Sequence, residues 1–163
     1  MGISQVVAYT LLFFISLSLG FITLGAYIRS QQLITRAEEL RQNMELNQLN
    51  TKIYIKSVSL SNNNLLYITI TNNGSTSLYD FKDFDVIVKY YANISNISTL
   101  IVSSYNYSTL SGPYRWTSNT VLINSDTSGT FIVDLPYPLY PNTKVTVVIA
   151  TNYGPEAIWR GIL

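Results

Sequence analysis

The chain has 163 residues, with 10 Lys plus Arg, 9 Asp plus Glu, and neither cysteine nor histidine. A disulfide framework, a Cys- or His-ligated metal site, and Ser-His-Asp or Cys-His catalysis are all excluded. A net charge of +1 leaves no basic surface for nucleic acid, so no such partner is expected.

Charged residues make up 12% of the chain, against roughly 25% in an average soluble protein. They are also unevenly placed. None falls within residues 1–28, whereas Arg29, Arg36, Glu38, Glu39, Arg41 and Glu45 follow closely. Three zones result: an apolar head over 1–28, a charged connector over 29–50 and a polar, Tyr-rich body over 51–163.

The head is uncharged for longer than the roughly 20 residues a bilayer span requires. Tyr9 and Tyr27 are spaced to reach the two interfaces, and Gly20 and Gly25 are tolerated in such helices. A cleaved secretory signal carries a basic stretch ahead of a shorter apolar run, and none precedes this one. A transmembrane helix is therefore expected, making the chain a single-pass protein of the cell membrane. The positive-inside rule places the Arg29, Arg36 and Arg41 side in the cytoplasm. The composition of the body favours the opposite orientation, and an external body is the expectation.

The connector holds no Gly or Pro and is rich in helix formers. Leu33, Ala37, Leu40 and Met44 fall on one helical stripe, so the membrane helix should continue as a short amphipathic stalk.

From Lys52 the hydrophobic period shortens to two. Leu66, Ile68 and Ile70 alternate with Tyr67, Thr69 and Thr71. Asn72-Asn73-Gly74 then reads as a turn, since Asn and Gly tolerate positive φ. Further strands are expected at 52–60, 84–91, 99–107, 120–124, 130–135, 144–151 and 156–161. Turn signals separate them at 61–64, 111–113, 124–129, 136–141 and 152–155. This pattern predicts an all-β, immunoglobulin-like sandwich.

Asp85 and Lys89 must face water, which assigns Phe84, Val86, Val88 and Tyr90 to the core. Ile87 and Tyr91 then become large apolar groups on an outer face, and they are the candidate interface residues. The stretch from Val147 to Ala150 is apolar on both parities, as suits a central strand.

Catalysis would have to rest on carboxylates, Lys or Ser, and no pattern supports it. The expectation is no enzyme and no cofactor. Asp80, Asp83 and Asp85 lack the spacing of a calcium loop and are better read as a turn cap. Four Asn-X-Ser/Thr sequons occur, at Asn73, Asn93, Asn96 and Asn106. With 15 Asn and 34 Ser plus Thr, composition alone accounts for about three. All four fall in or beside expected loops and strand ends, and Asn93 and Asn96 are the best placed for glycosylation. A surface built from Ser, Thr, Asn and Tyr barely titrates below neutral pH, which suits an acidic exterior.

The start Met1-Gly2-Ile3-Ser4 before an apolar run resembles the F protein family of the archaeal flagellum, the archaellum. Thr71-Asn72-Asn73-Gly74-Ser75 and the Asp83-Phe84-Asp85-Val86 strand resemble it too, and the related G protein family is similar in plan. The composition looks like that of a thermoacidophilic archaeon. The resemblance implies a stator protein, anchored by its helix, whose sandwich lies in the archaeal pseudoperiplasm. It further implies binding to the surface-layer protein, contact with other archaellum components including the G protein, and a homodimer. Pilin-type filament subunits share the apolar helix and outer β-domain, but carry a basic residue before the processed Gly. A glycan-binding surface module using Trp116, Trp159 and Tyr rings is the remaining alternative.

Overall fold

The computed structural model describes residues 2–62 and 64–163. Met1, in the N-terminal motif, and Asn63, in the turn expected at 61–64, lie outside the described residues. The chain divides into two compact units, 1–44 and 45–163.

The first unit is helical. One helix, α1, runs without a break over Gly2–Asn50 and buries none of its residues. It is long and apolar enough to cross a membrane by length and composition. Thr10, Ser18 and Thr23 return their hydroxyls to carbonyls about one turn earlier, which satisfies those three groups within the helix.

The second unit holds eight strands: β1 (Ile53–Ser61), β2 (Leu65–Asn72), β3 (Asp85–Ile94), β4 (Ile97–Tyr107), β5 (Arg115–Ser118), β6 (Ser128–Asp134), β7 (Lys144–Ala150) and β8 (Glu156–Ile162). Their hydrogen-bonded order is β1-β2-β6-β5-β4-β3-β7-β8. All pairings are antiparallel except β4 with β5, which meet in parallel only through Asn106, Tyr107 and their partners Arg115 and Trp116. The result is an immunoglobulin-like sandwich of β1-β2-β6-β5 on β4-β3-β7-β8.

Alternation fills the space between the layers. Leu66, Ile68 and Ile70 of β2 and Phe131 and Val133 of β6 are buried from one side. Val86, Val88 and Tyr90 of β3 and Val145, Val147 and Ile149 of β7 are buried from the other. β7 is a central strand between β3 and β8, as its apolar run required. One end of the core is aromatic: Trp116 and Phe131 have ring centroids 4.4 Å apart, and Phe81 meets both Phe84 and Phe131 edge-on at 5.3 Å. Each such pair adds about 0.5–1.5 kcal/mol beyond area burial.

Two expectations need correction. No strand forms at 120–124. Val121 is 87% exposed, and only Ile123 pairs there, in an isolated bridge with Leu78. The strand that fills this place is β5, four residues long, whose Trp116 points into the core. Its brevity hid it, because a single inward aromatic gives no period. The second concerns residues 92–98, which lie between the strands expected at 84–91 and 99–107. They belong to a continuous hairpin in which Ile94 pairs with Ile97 across Ser95 and Asn96. Both turn residues have positive φ, 51° and 66°, the geometry of a two-residue hairpin turn with the twist of its strands.

Burial also shapes the ionisation of the core tyrosines. Tyr90 donates its hydroxyl to the Tyr137 carbonyl at 3.2 Å, yet burial pushes its phenol up to about 12. Tyr105 is raised further, first by burial and then by the neighbouring Tyr90. An unfolded tyrosine loses its proton near pH 10. Above that value the unfolded chain releases protons that the folded chain still holds, so stability falls as pH rises. Melting temperatures of the full chain in detergent, followed by near-ultraviolet circular dichroism, should be clearly lower at about pH 11 than at about pH 8. An unchanged midpoint would contradict this account of the two phenols.

Candidate functional site

The outer face of β4-β3-β7-β8 follows from register. Ser104, Ile87, Val148 and Ile158 lie in one row across the four strands, and Val102, Lys89, Thr146 and Arg160 lie in the next. Leu100 sits opposite Tyr91. Ile87 and Tyr91 are 38% and 36% exposed, and the structure sets them on this face as the parity of β3 required. Sequence reasoning missed their neighbours Leu100, Val102 and Ile158, all exposed. The signal was the same alternation, read on β3 alone instead of across the sheet.

The four sequons scatter. Asn73 is exposed in the turn after β2, and Asn96 is exposed at the β3–β4 turn. Asn106 is exposed within β4 near its end. Asn93 lies in β3, not in a loop. It is half-buried, its N–H donates to the Pro138 carbonyl at 2.8 Å, and its side-chain oxygen is enclosed without a partner. Asn96 is thus far more open than Asn93.

Asp80, Asp83 and Asp85 are exposed and flank a single 3₁₀ turn over Phe81–Asp83. Asp80 stands at its start in the left-handed region, but its side chain makes no capping bond. The backbone alone closes the turn, with the Asp83 N–H donating to the Asp80 carbonyl at 3.0 Å. The cluster's purpose is local: it lets Phe81 and Phe84 enter the aromatic core. Among the described residues, no group of three or more acidic side chains is placed to hold a metal ion. Trp116 is fully buried and unavailable for stacking on a sugar, while Trp159 is half-buried.

The most constructed polar arrangement lies where α1 ends. The last carbonyls of a helix have no partner within it. Here the Asn50 carbonyl accepts from the Ser75 N–H at 2.9 Å and the Thr76 N–H at 3.3 Å. Thr51 returns its hydroxyl to the Asn47 carbonyl at 2.6 Å, and the Asn73 N–H donates to the Lys52 carbonyl at 2.7 Å. The turn that supplies these donors is shaped by Asn72, which is fully buried. Its side-chain oxygen accepts from the Gly74 N–H at 3.0 Å, and its side-chain N–H₂ donates to the Thr76 carbonyl at 2.8 Å and the Ile123 carbonyl at 3.4 Å. Its backbone bonds Thr127 and Asp126.

The turn expected at Asn72-Asn73-Gly74 is therefore present, but its cause differs. None of the three has positive φ. Asn72 is required for its side-chain bonds. Gly74 is required because any Cβ there would collide with the Asn50 carbonyl oxygen. In the full chain, Asn72→Ala leaves several buried partners unsatisfied, at about 1–3 kcal/mol for each. Gly74→Ala should likewise lower the melting temperature. In both variants, limited proteolysis should cut at residues 50–52, where the parent resists. A parent-like digest would show that the junction does not depend on this turn.

Residues 49–161 match the family model described as conserved flagellar protein F, immunoglobulin-like domain. No curated protein matches the chain. Among solved structures, the archaellum periplasmic stator protein FlaG from Sulfolobus acidocaldarius is 20% identical, with TM-score 0.56, over 68% of this chain and 99% of that one. The FlaF and FlaG stator complex from the same organism gives the same identity and score, over 68% of this chain and 89% of that one. The archaeal flagellum of Methanospirillum hungatei strain JF1 is 13% identical, with TM-score 0.61, over 100% of this chain and 93% of that one. At these identities the likeness is one of fold. The family match spans most of the chain and the sandwich built on the Asn72 turn: the chain belongs to the flagellar protein F immunoglobulin-like family.

Proposed function

We infer that the chain is a structural component of the archaellum stator, fixed in the cell membrane by α1. The observation that carries this reading is the family match over the sandwich, joined to a helix long and apolar enough to span a bilayer. A part that must stay still against a turning filament needs an anchor in the membrane. Within the outer unit, the Asn72 turn ties the last residues of α1 to the sandwich through bonds that do not depend on charge.

The sandwich would lie in the pseudoperiplasm and bind the surface-layer protein, with the G protein of the archaellum as a further partner. No enzymatic role is proposed. The outer face around Ile87 and Tyr91 would carry the homodimer contact. The aromatic core and the absence, among the described residues, of any charged residue in the buried set suit an acidic exterior. Candidate glycosylation is assigned first to Asn96, then to Asn73 and Asn106, with Asn93 last because it is half-buried.

The test is sedimentation of the full chain in detergent with purified surface-layer sheets at acidic pH. Co-sedimentation is expected, and its absence from a folded sample would sink the stator reading. Protease treatment of whole cells should digest the sandwich if it is external. Ile87→Lys should weaken self-association with the melting temperature unchanged, and an unaltered mass in analytical ultracentrifugation would reject that contact.

A second reading is a filament subunit, favoured by the full-length overlap with the Methanospirillum flagellum structure. Intact mass separates the two, because loss of Met1-Gly2 to a prepilin peptidase favours the filament.

A further inference from the structure

Of the 15 asparagines, Asn73 alone precedes a glycine. That pair carries chemistry of its own. Glycine has no side chain to shield its nitrogen, and its backbone turns freely. Once the Gly74 nitrogen gives up its proton, it can attack the carbonyl carbon of the Asn73 side chain. A carbon–nitrogen bond forms, the bond to the side-chain nitrogen breaks, and ammonia leaves with the proton. The product is a five-membered succinimide. Water then opens either of its two carbonyls and leaves aspartate or isoaspartate. The sequence of steps consumes only water.

The structure holds the two reacting groups apart. Asn73 is exposed to water, whereas Gly74 is buried. The Gly74 N–H donates to the side-chain oxygen of the fully buried Asn72 at 3.0 Å, which keeps its proton in place. The N–H groups on either side are held as well. Asn73 donates to the Lys52 carbonyl at 2.7 Å, and Ser75 donates to the Asn50 carbonyl at 2.9 Å. Three successive N–H groups are thus fixed, and the peptide between them has no freedom to swing its nitrogen towards the Asn73 side chain. A Cβ on Gly74 would strike the Asn50 carbonyl oxygen, so the main chain has no slack there. Parting residues 50–52 from the turn removes two of the three restraints at once.

We propose that Asn73-Gly74 is a latent self-modification site, silenced by Asn72 and by the end of α1, and converted to aspartate or isoaspartate when that junction opens. Isoaspartate routes the main chain through the side-chain carbonyl and so adds one atom to it. The lengthened chain no longer presents its N–H groups to Lys52 and Asn50 in register, and the junction does not reclose. An opening is thereby recorded in a covalent bond, and the molecule that suffered it is retired. The same step destroys the Asn73 sequon. None of this depends on what the sandwich binds.

The test follows one peptide by mass. The full, unglycosylated chain in detergent would be incubated in mildly alkaline buffer made with heavy-oxygen water, then digested with trypsin in ordinary water. The peptide over residues 57–82 carries the site, and its fragments separate Asn73 from the other asparagines in it. Heavy oxygen retained at position 73 marks conversion before digestion. Below the melting temperature, the folded chain should convert at least about tenfold more slowly than the same chain unfolded in guanidinium, because local opening limits it. Asn72→Ala, kept below its own melting temperature, should convert about tenfold faster than the parent. After removal of guanidinium, limited proteolysis at residues 50–52 should release sandwich enriched in heavy oxygen at position 73. A folded parent that converts as fast as the unfolded chain overturns the silencing, whether or not Asn72→Ala folds. An unfolded chain that keeps Asn73 intact overturns the reactivity. A folded Asn72→Ala that converts at the parent's rate overturns the part given to Asn72, and converted chain that resists cleavage overturns the failure to reclose.

Discussion

The structure depends on how a helix that ends in a β-domain disposes of its last carbonyls. Those groups cannot stay unpaired where a sheet packs over them. The chain meets the need with one turn, bent by the Asn72 side chain and brought close by the missing side chain of Gly74. Asn72 lies at the end of β2, and the same residue bonds the segment before β6. The end of the helix, the second strand and the sixth are thereby fixed by one buried amide. A change at that position is felt in three elements at once.

The rest of the domain is built so that charge matters little. Among the described residues, its buried polar side chains are those of Thr51, Thr71, Asn72 and Thr151, all neutral. Its rigidity comes from aromatic contact around Phe131 and from alternating aliphatic residues. The carboxylates of the body stay at the surface or half-buried, where protonation removes little packing. Chemistry absent from the sequence and stability without ion pairs in the core therefore share one cause: an interior made of groups that do not change state in acid.

Much of this was legible in advance, for reasons that differ by element. The apolar head and the strands at β2, β3 and β7 announce themselves through long, regular periods, and the inward set of β3 follows from where Asp85 and Lys89 must sit. β5 was not legible, because four residues with one inward Trp carry no period. The tight turn at Ser95-Asn96 was hidden because Ser is an uncommon choice for positive φ, whereas Asn96 alone is not. The apolar outer face was half legible: Ile87 and Tyr91 belong to one strand, but Leu100 and Val102 join them only once register is known. The role of Gly74 lay beyond sequence, since it depends on a carbonyl more than twenty residues earlier arriving beside it.

That tight turn also orders the assembly of the sheet in time. Joining β3 to β4 closes a loop of two residues, whereas joining β3 to β7 closes one that spans β4, β5 and β6. The entropy lost on closure grows with the logarithm of loop length, and hairpins form in about 1–10 μs. The β3–β4 ladder is the longest in the domain, so it gains the most contacts for the least closure. The hairpin is the natural first structure of the folding chain, and the strands brought from greater distances are recruited to it.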